Sequence, residues 1–179
     1  SEAEKAWASS GHLVARLRAC AASSVSSTAL ACGVYAITGG LGGLGLRAAK
    51  LLVEGGASGV VLASRSGRVV RDGQGLEAQL QSICLVAVVR ATDSADSCDV
   101  SALVSADLPL TGVLHAAGVG DKGLLIEVAA QRLRWVCASK AKGTWHVHCA
   151  SGTAALEMRL LFSSVGSGLG NVGQASYAA

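Results

Sequence analysis

The sequence predicts an α/β fold, a doubly wound parallel sheet with helices on both faces. Three observations predict it. A glycine-rich turn joins a short apolar run to a helical pattern over residues 34–56. Further short apolar runs at 59–64, 83–89, 112–115 and 159–162 alternate with helical patterns, which argues for right-handed βαβ units and a parallel sheet. The residues with distinctive chemistry fall just past the ends of these runs, where open parallel sheets bind ligands.

Composition narrows the class. The chain has 179 residues, 51% of them hydrophobic, enough for one domain with a real core and too apolar for disorder. No uninterrupted apolar run reaches the ~18 residues of a membrane helix, so no membrane association is expected. The net charge of +3 and the 3% aromatic content give no nucleic-acid surface. Cysteines at 20, 32, 84, 98, 137 and 149 show no C-x-x-C pair and read as small core thiols of a reducing compartment. That suggests the cytoplasm or a reducing organelle stroma; the chain starts at Ser1, so no targeting signal is readable. His146 and His148 point about 200° apart on a helix and cannot share a metal, so no metal site is expected.

Residues 1–33, rich in Ala and Ser, read as a linker or the end of a preceding region. One short amphipathic helix is expected there, through Trp7, Leu13, Val14 and Leu17. Val34–Ile37 reads as a buried strand. Gly40, Gly42 and Gly45 follow in G-x-G-x-x-G spacing. In that context the first allows a tight turn, the second lets a pyrophosphate approach the backbone, and the third lets helix and strand pack closely. The helix start offers free N–H groups to phosphate. Its expected inner face is Leu44, Ala48, Leu51 and Leu52, and Gly55-Gly56 ends it.

Gly59–Ser64 is a second strand, ending in Ser64-Arg65-Ser66. A carboxylate there would hold a ribose 2′-OH; a guanidinium instead suits a 2′-phosphate, which predicts NADPH as cofactor. Leu76 and Leu80 mark a short helix over 75–82. Ile83–Val89 is a third β-rich run, with Asp93 past its end. Asp96 caps a helix whose face is Val100, Leu103 and Val104. Pro109 breaks the chain. Gly112–His115 is a fourth strand, ending in Ala116-Ala117-Gly118. A long helix is expected over about 129–150, with Leu133, Val136 and Val147 turned inward. Arg159–Phe162 is a fifth strand, ending in Ser163-Ser164. A glycine-rich loop, 166–173, leads to Gln174 and Tyr177.

Ser164, Tyr177 and Lys140 suggest a reaction. A free phenol has a pKa near 10 and is protonated at neutral pH, so Tyr177 can give a proton to a developing alkoxide. A nearby ammonium, Lys140, favours the phenolate left behind. A serine hydroxyl on the same oxygen orients and polarises a carbonyl.

These residues carry a family resemblance. The chain resembles the short-chain dehydrogenase/reductase superfamily, with its Rossmann-like sheet. Within it, the chain is similar to the ketoreductase domain of a type I polyketide synthase. Thr38-Gly39-Gly40-Leu41-Gly42-Gly43-Leu44-Gly45 matches the nucleotide loop, and His115-Ala116-Ala117-Gly118-Val119 the fourth-strand motif. Phe162-Ser163-Ser164 with Gly173-Gln174-Ala175-Ser176-Tyr177-Ala178-Ala179 matches the active-site block. Lys140-Ala141-Lys142-Gly143-Thr144 matches the segment where these ketoreductases carry their lysine. The resemblance covers residues 34–179 and leaves 1–33 outside.

The resemblance implies NADPH-dependent reduction of a carrier-protein-bound β-ketoacyl thioester to a β-hydroxyacyl thioester. Its partners would be an acyl carrier protein and the other domains of a megasynthase. The ketoreductase of a type I fatty acid synthase and a silent NADPH-binding domain are the alternatives. It implies catalysis by Lys140, Ser164 and Tyr177, with Lys142 as runner-up for the lysine. Cofactor contacts would come from Thr38, Gly40, Leu41, Gly42, Leu44, Ser64, Arg65, Ser66, Asp93, Ser94, His115, Ala116 and Ala117, together with Lys140 and Tyr177. Two departures stand out. The chain stops at Ala179, before the family's asparagine and last strands, so 1–179 alone is expected to be inactive. The stereochemical markers are also altered: Gly120-Asp121-Lys122 stands where one product class has Leu-Asp-Asp, and Leu169 where the other has Trp. The missing Trp leans towards the first class.

Overall fold

A computed structural model describes residues 6–8, 11–13, 32–70, 75–105, 109–120, 123, 126, 128–170 and 172–174. Its main sheet has five parallel strands: β3 (Val34–Thr38), β4 (Gly59–Ser64), β5 (Ala87–Ala91), β6 (Leu110–His115) and β7 (Met158–Leu161). They lie in the order β5-β4-β3-β6-β7. The chain runs outward from β3 to one edge, then returns to β3's other side, which creates a switch point between β3 and β6. Thr38 pairs with both Ala63 and His115, so the carboxyl ends of the central strands lie level.

Side-chain alternation along the central strands feeds two cores. Tyr35, Ile37 and Leu62 pack with Leu46, Ala49 and Leu52 of α1 (Gly43–Glu54) and with Leu76 of α2 (Leu76–Ser82). Ala36, Val61 and Val113 face the other way. They pack against Val100 and Leu103 of α3 (Ser97–Val104) and Val147 of α5 (Gly143–Ser151). The β3 and β4 runs are continuously apolar because both faces of these strands are covered. The edge strands are less covered: Val88 and Val89 of β5 and Leu160 and Leu161 of β7 are exposed.

Several local expectations need correction. The inner stripe of α1 is Gly45, Leu46, Ala49 and Leu52, whereas Leu44 and Leu51 are 52% and 62% exposed. Close contact at Gly45 sets the stripe, and its i, i+4, i+7 partners fall one residue later than the leucine pattern suggests. Of the glycine pair, Gly56 alone has positive φ. The third strand starts at Ala87, not Ile83. Residues 83–86 form a turn whose N–H groups reach back to Leu80, Gln81 and Ile83, and Ile83 inserts into the α1/α2 core. The long helix is in three parts: α4 (Ala130–Cys137), a π-helical turn (Ala138–Lys142) and α5. Val136 and Val147 are buried as expected, but Leu133 is exposed. Part of the glycine-rich loop forms a short helix, α6 (Gly166–Leu169).

Near the start of the chain, β1 (Ala6–Ala8) pairs antiparallel with β2 (Gly11–Leu13). Trp7 and Leu13 thus lie in a hairpin rather than a helix, and Gly11, at φ 134°, has a backbone that no helix contains. Val14, Leu17 and residues 21–31 lie outside the described residues. The five described cysteines are free. Cys32, Cys84, Cys98 and Cys149 are exposed rather than in the core, because they sit in turns and on outer helix faces. No helix among the described residues is long and apolar enough to cross a membrane.

Candidate active site

The carboxyl ends of the strands open into a cleft of about 830 Å³. One wall is the turn between β3 and α1, from Gly39 and Leu41 to Gly45. This turn depends on three glycines, and at Gly40 a Cβ would lie 2.7 Å from the Ile37 carbonyl oxygen. Gly39 has φ 69°, and a Cβ there would lie 2.7 Å from the Ala117 backbone. At Gly45 a Cβ would overlap the Gly39 carbonyl, so α1 can start this close to the turn only without a side chain. Gly42 is exposed and caps α1 with no side-chain bond, leaving the first N–H groups of this twelve-residue helix pointing into the cleft. Gly39 was missed by the motif spacing; the doubled Gly39-Gly40 was its signal.

The second wall is the end of β4, with Ser64, Arg65, Ser66 and Arg68. Ser64 Oγ is buried with no hydrogen-bond partner. A buried hydroxyl that the fold leaves unpaired costs free energy unless something pairs with it. The arginines beside it and the N–H groups opposite make a set of donors with no carboxylate among the described cleft residues. That donor set fits a phosphate-bearing dinucleotide.

The third wall is formed by Ala116 and Gly118, beyond β6, with Lys140, Phe162, Ser163 and Gln174. Lys140 lies in the π-helical turn and is half-buried. Its chain passes over Gly118, where a Cβ would come within 2.8 Å of Lys140 Cε. Lys142 is exposed and does not line the cleft.

Other expected residues stand behind the walls. Asp93 Oδ1 accepts from Ala95 N–H at 3.0 Å, and the Asp93 N–H donates to Asp99 Oδ2 at 2.8 Å. Ser94 is buried, and its carbonyl accepts from His146 Nδ1 at 3.2 Å. Gly40 and Thr38 are buried under the turn, and Ala117 packs against Gly39. Ser164 Oγ accepts the Gly166 N–H at 3.1 Å, at the start of α6, while its neighbours Phe162 and Ser163 line the cleft. Phe162, Ser163 and Gln174 were not singled out from sequence as site residues, although all three lie within or beside the matched blocks. Tyr177, Asp121 and Lys122 lie outside the described residues. Among the described residues, no group of three or more His, Cys, Asp or Glu side chains is placed to hold a metal.

His115 is 3% exposed. Its Nδ1 lies 2.6 Å from Thr38 Oγ1 and its Nε2 lies 3.0 Å from the Ser139 carbonyl. A carbonyl only accepts, so Nε2 carries the proton and Nδ1 accepts from the Thr38 hydroxyl. Burial pushes the His115 pKa below its ordinary value, and the Lys140 charge acts the same way, against the bonds to the Ser139 and Lys140 backbone. The folded state therefore binds this proton less readily than the unfolded chain. Stability should hold above about pH 6.5 and fall as the pH drops below it. Thermal melting from about pH 7.5 to about pH 5 should show a steeper loss for wild type than for His115→Gln. Equal slopes would refute the assignment.

Comparison with known proteins gives a consistent picture. The KR domain family model matches residues 33–179. The spectinabilin polyketide synthase system protein NorB of Streptomyces orinoci is 40% identical over 152 residues, which cover 82% of this chain and 7% of that protein. The 6-methylsalicylic acid synthase AOL_s00215g283 of Arthrobotrys oligospora is 39% identical over 161 residues, covering 82% of this chain and 9% of that protein. The chain thus spans less than a tenth of the length of these curated relatives. A solved structure of A-type ketoreductases from a modular polyketide synthase superposes with a TM-score of 0.82 at 33% identity, over 99% of this chain and 39% of that one.

Proposed function

The chain belongs to the KR domain family, the ketoreductase domains of polyketide synthases, and from that membership we propose that it reduces the β-keto group of a carrier-protein-bound β-ketoacyl thioester, using NADPH. The observation that supports this reading most is the meeting of the glycine turn, Arg65 and Lys140 in one cleft at the carboxyl ends of the sheet. Residues 34–179 are the reducing domain in this reading, and 1–33 are a linker or the end of a preceding region. NorB is a polyketide synthase system protein, which favours that system over fatty acid synthesis.

The N–H groups at the start of α1 hold the pyrophosphate, with Thr38, Gly40, Leu41, Gly42 and Leu44 shaping the turn. Arg65 and Ser66 hold the 2′-phosphate, and Ser64 Oγ gains the partner that the fold does not give it. Ala116 meets the cofactor from the cleft wall, and Asp93, Ser94, His115 and Ala117 support its adenine and nicotinamide ends from behind the walls. When bound, NADPH supplies the hydride. Negative charge then grows on the substrate carbonyl oxygen. Ser164 steadies that oxygen with a hydrogen bond, Tyr177 gives it a proton, and the Lys140 ammonium makes the phenol a better donor.

The test is direct. The full-length protein, given NADPH and a short β-ketoacyl thioester, should form the β-hydroxyacyl thioester, detectable by mass spectrometry. No reduced product, with NADPH bound, would reject the reading. Cofactor choice is a second expected outcome. Charge-assisted hydrogen bonds are worth about 1.5–3 kcal/mol. Arg65→Ala should therefore weaken NADPH binding about 10–100-fold and leave NADH binding nearly unchanged. Equal wild-type affinities for the two cofactors would sink the 2′-phosphate assignment.

A further inference from the structure

We propose that His115 is the positioning residue for Lys140: its imidazole pins the π-helical turn to the end of β6 and so sets where the ammonium stands over the cleft. The proposal rests on the reading above, in which Lys140 serves cofactor and tyrosine, and three observations support it.

The first is the turn itself. Between α4 and α5 the backbone widens, and the Gly143 N–H reaches back five residues to the Ala138 carbonyl. Such π-turns are rare, poorly stabilised on their own, and concentrated at functional sites. Here an outside donor braces the turn: His115 Nε2–H gives its hydrogen bond to the Ser139 carbonyl, one residue before Lys140. The second is contact. A Cβ on Gly143 would lie 2.8 Å from His115 Cε1 and 3.2 Å from Ser94 Cβ. The helix therefore rests directly on the imidazole edge, and the ring fixes its distance from the sheet. The third is the tautomer. Because Thr38 Oγ1 donates to Nδ1, the ring proton stays on Nε2, where the turn needs it. Thr38 ends β3 and leads into the Gly39 turn. One chain of bonds thus joins the nucleotide turn, the imidazole and the segment that carries the lysine. From the other side, Lys140 folds over Gly118, three residues beyond His115. A larger side chain at 118 would displace the same ammonium that His115 holds in place.

The geometry separates two variants. In His115→Gln the amide nitrogen reaches the place of Nε2 and can still donate to Ser139. In His115→Asn the amide oxygen takes the place of Nδ1 and can accept from Thr38, but nothing reaches Ser139. In the full-length protein without cofactor, deuterium uptake over residues 138–143 should be at least about tenfold faster in His115→Asn than in wild type. It should be near wild type in His115→Gln. The kcat should follow the same order, with Asn lowered about tenfold or more and Gln largely rescued. A ring that merely filled space would give two variants that behave alike; that result, or unchanged uptake in His115→Asn, overturns the proposal. If His115→Asn does not fold, Thr38→Val removes only the hydroxyl that sets the tautomer. It should still speed uptake at 138–143, and unchanged uptake there counts against the proposal equally. Lys140→Ala separates the two levels of inference. If it spares turnover, the functional reading fails while uptake still reports on the Ser139 bond. If it abolishes turnover and His115→Asn does not lower it, the positioning role alone fails.

Discussion

Tyr177→Phe is expected to lower kcat at least ~10²-fold, the lower end for a general acid, with little change in NADPH affinity. The substitution removes one hydroxyl and keeps the ring, so packing is preserved. What is lost is the proton for the substrate oxygen as negative charge develops on it. The groups that remain are poor replacements. A serine hydroxyl, from Ser163 or Ser164, can share a hydrogen bond but is far too weak an acid to transfer its proton. Water entering an open cleft donates without orientation. Cofactor affinity should persist because the phosphate contacts come from the α1 start and the Ser64–Arg68 wall, on other parts of the cleft. Single-turnover rates in the full-length protein, beside a direct NADPH titration, separate the two effects. Near-normal kcat in Tyr177→Phe would remove the tyrosine from the mechanism.

What the sequence made legible was set by short-range physics. Continuous apolar runs marked β3, β4 and β6 because these strands are covered on both faces. Asp96 announced α3 because its cap is local: Oδ1 accepts from the N–H groups of Cys98 and Asp99. Arg65 and Lys140 could be placed in the cleft because strand-end position and motif register fix them. The failures over α1, Ile83 and the π-turn depend on contacts that lie outside the periodic pattern of the element itself. The stripe of α1 is set by Gly45 meeting the nucleotide turn, which no periodicity encodes. Ile83 looked like a strand residue because apolarity alone does not say whether a residue extends the sheet or plugs the α1/α2 core. The π-turn was invisible because its brace, His115, lies 24 residues away. His115 itself matched a motif, but its two bonds run behind the cleft to Thr38 and Ser139.

Lys140→Ala and Lys142→Ala should differ sharply although the residues are two apart. Lys140 lines the cleft and lies over Gly118; Lys142 is exposed and away from it. An ammonium close to a phenol lowers its pKa by about 1–3 units, so loss of Lys140 should cost roughly 10–1,000-fold in kcat. The same ammonium is proposed to hold the cofactor ribose, so NADPH binding should weaken too, unlike in Tyr177→Phe. A further consequence has a definite sign. Reduction needs the phenol protonated, so turnover falls above the tyrosine pKa. Removing the ammonium raises that pKa, and the alkaline limb of the pH–rate profile should move upward even as the plateau falls. Lys142→Ala should change kcat, NADPH affinity and pH profile little, since its charge is exposed, screened by solvent and salt, and does not line the cleft. The roles of the two lysines are reversed if Lys142→Ala cripples turnover while Lys140→Ala spares it. If Lys140→Ala lowers kcat but leaves the alkaline limb in place, the lysine acts on the cofactor alone and the proton donor is tuned by something else.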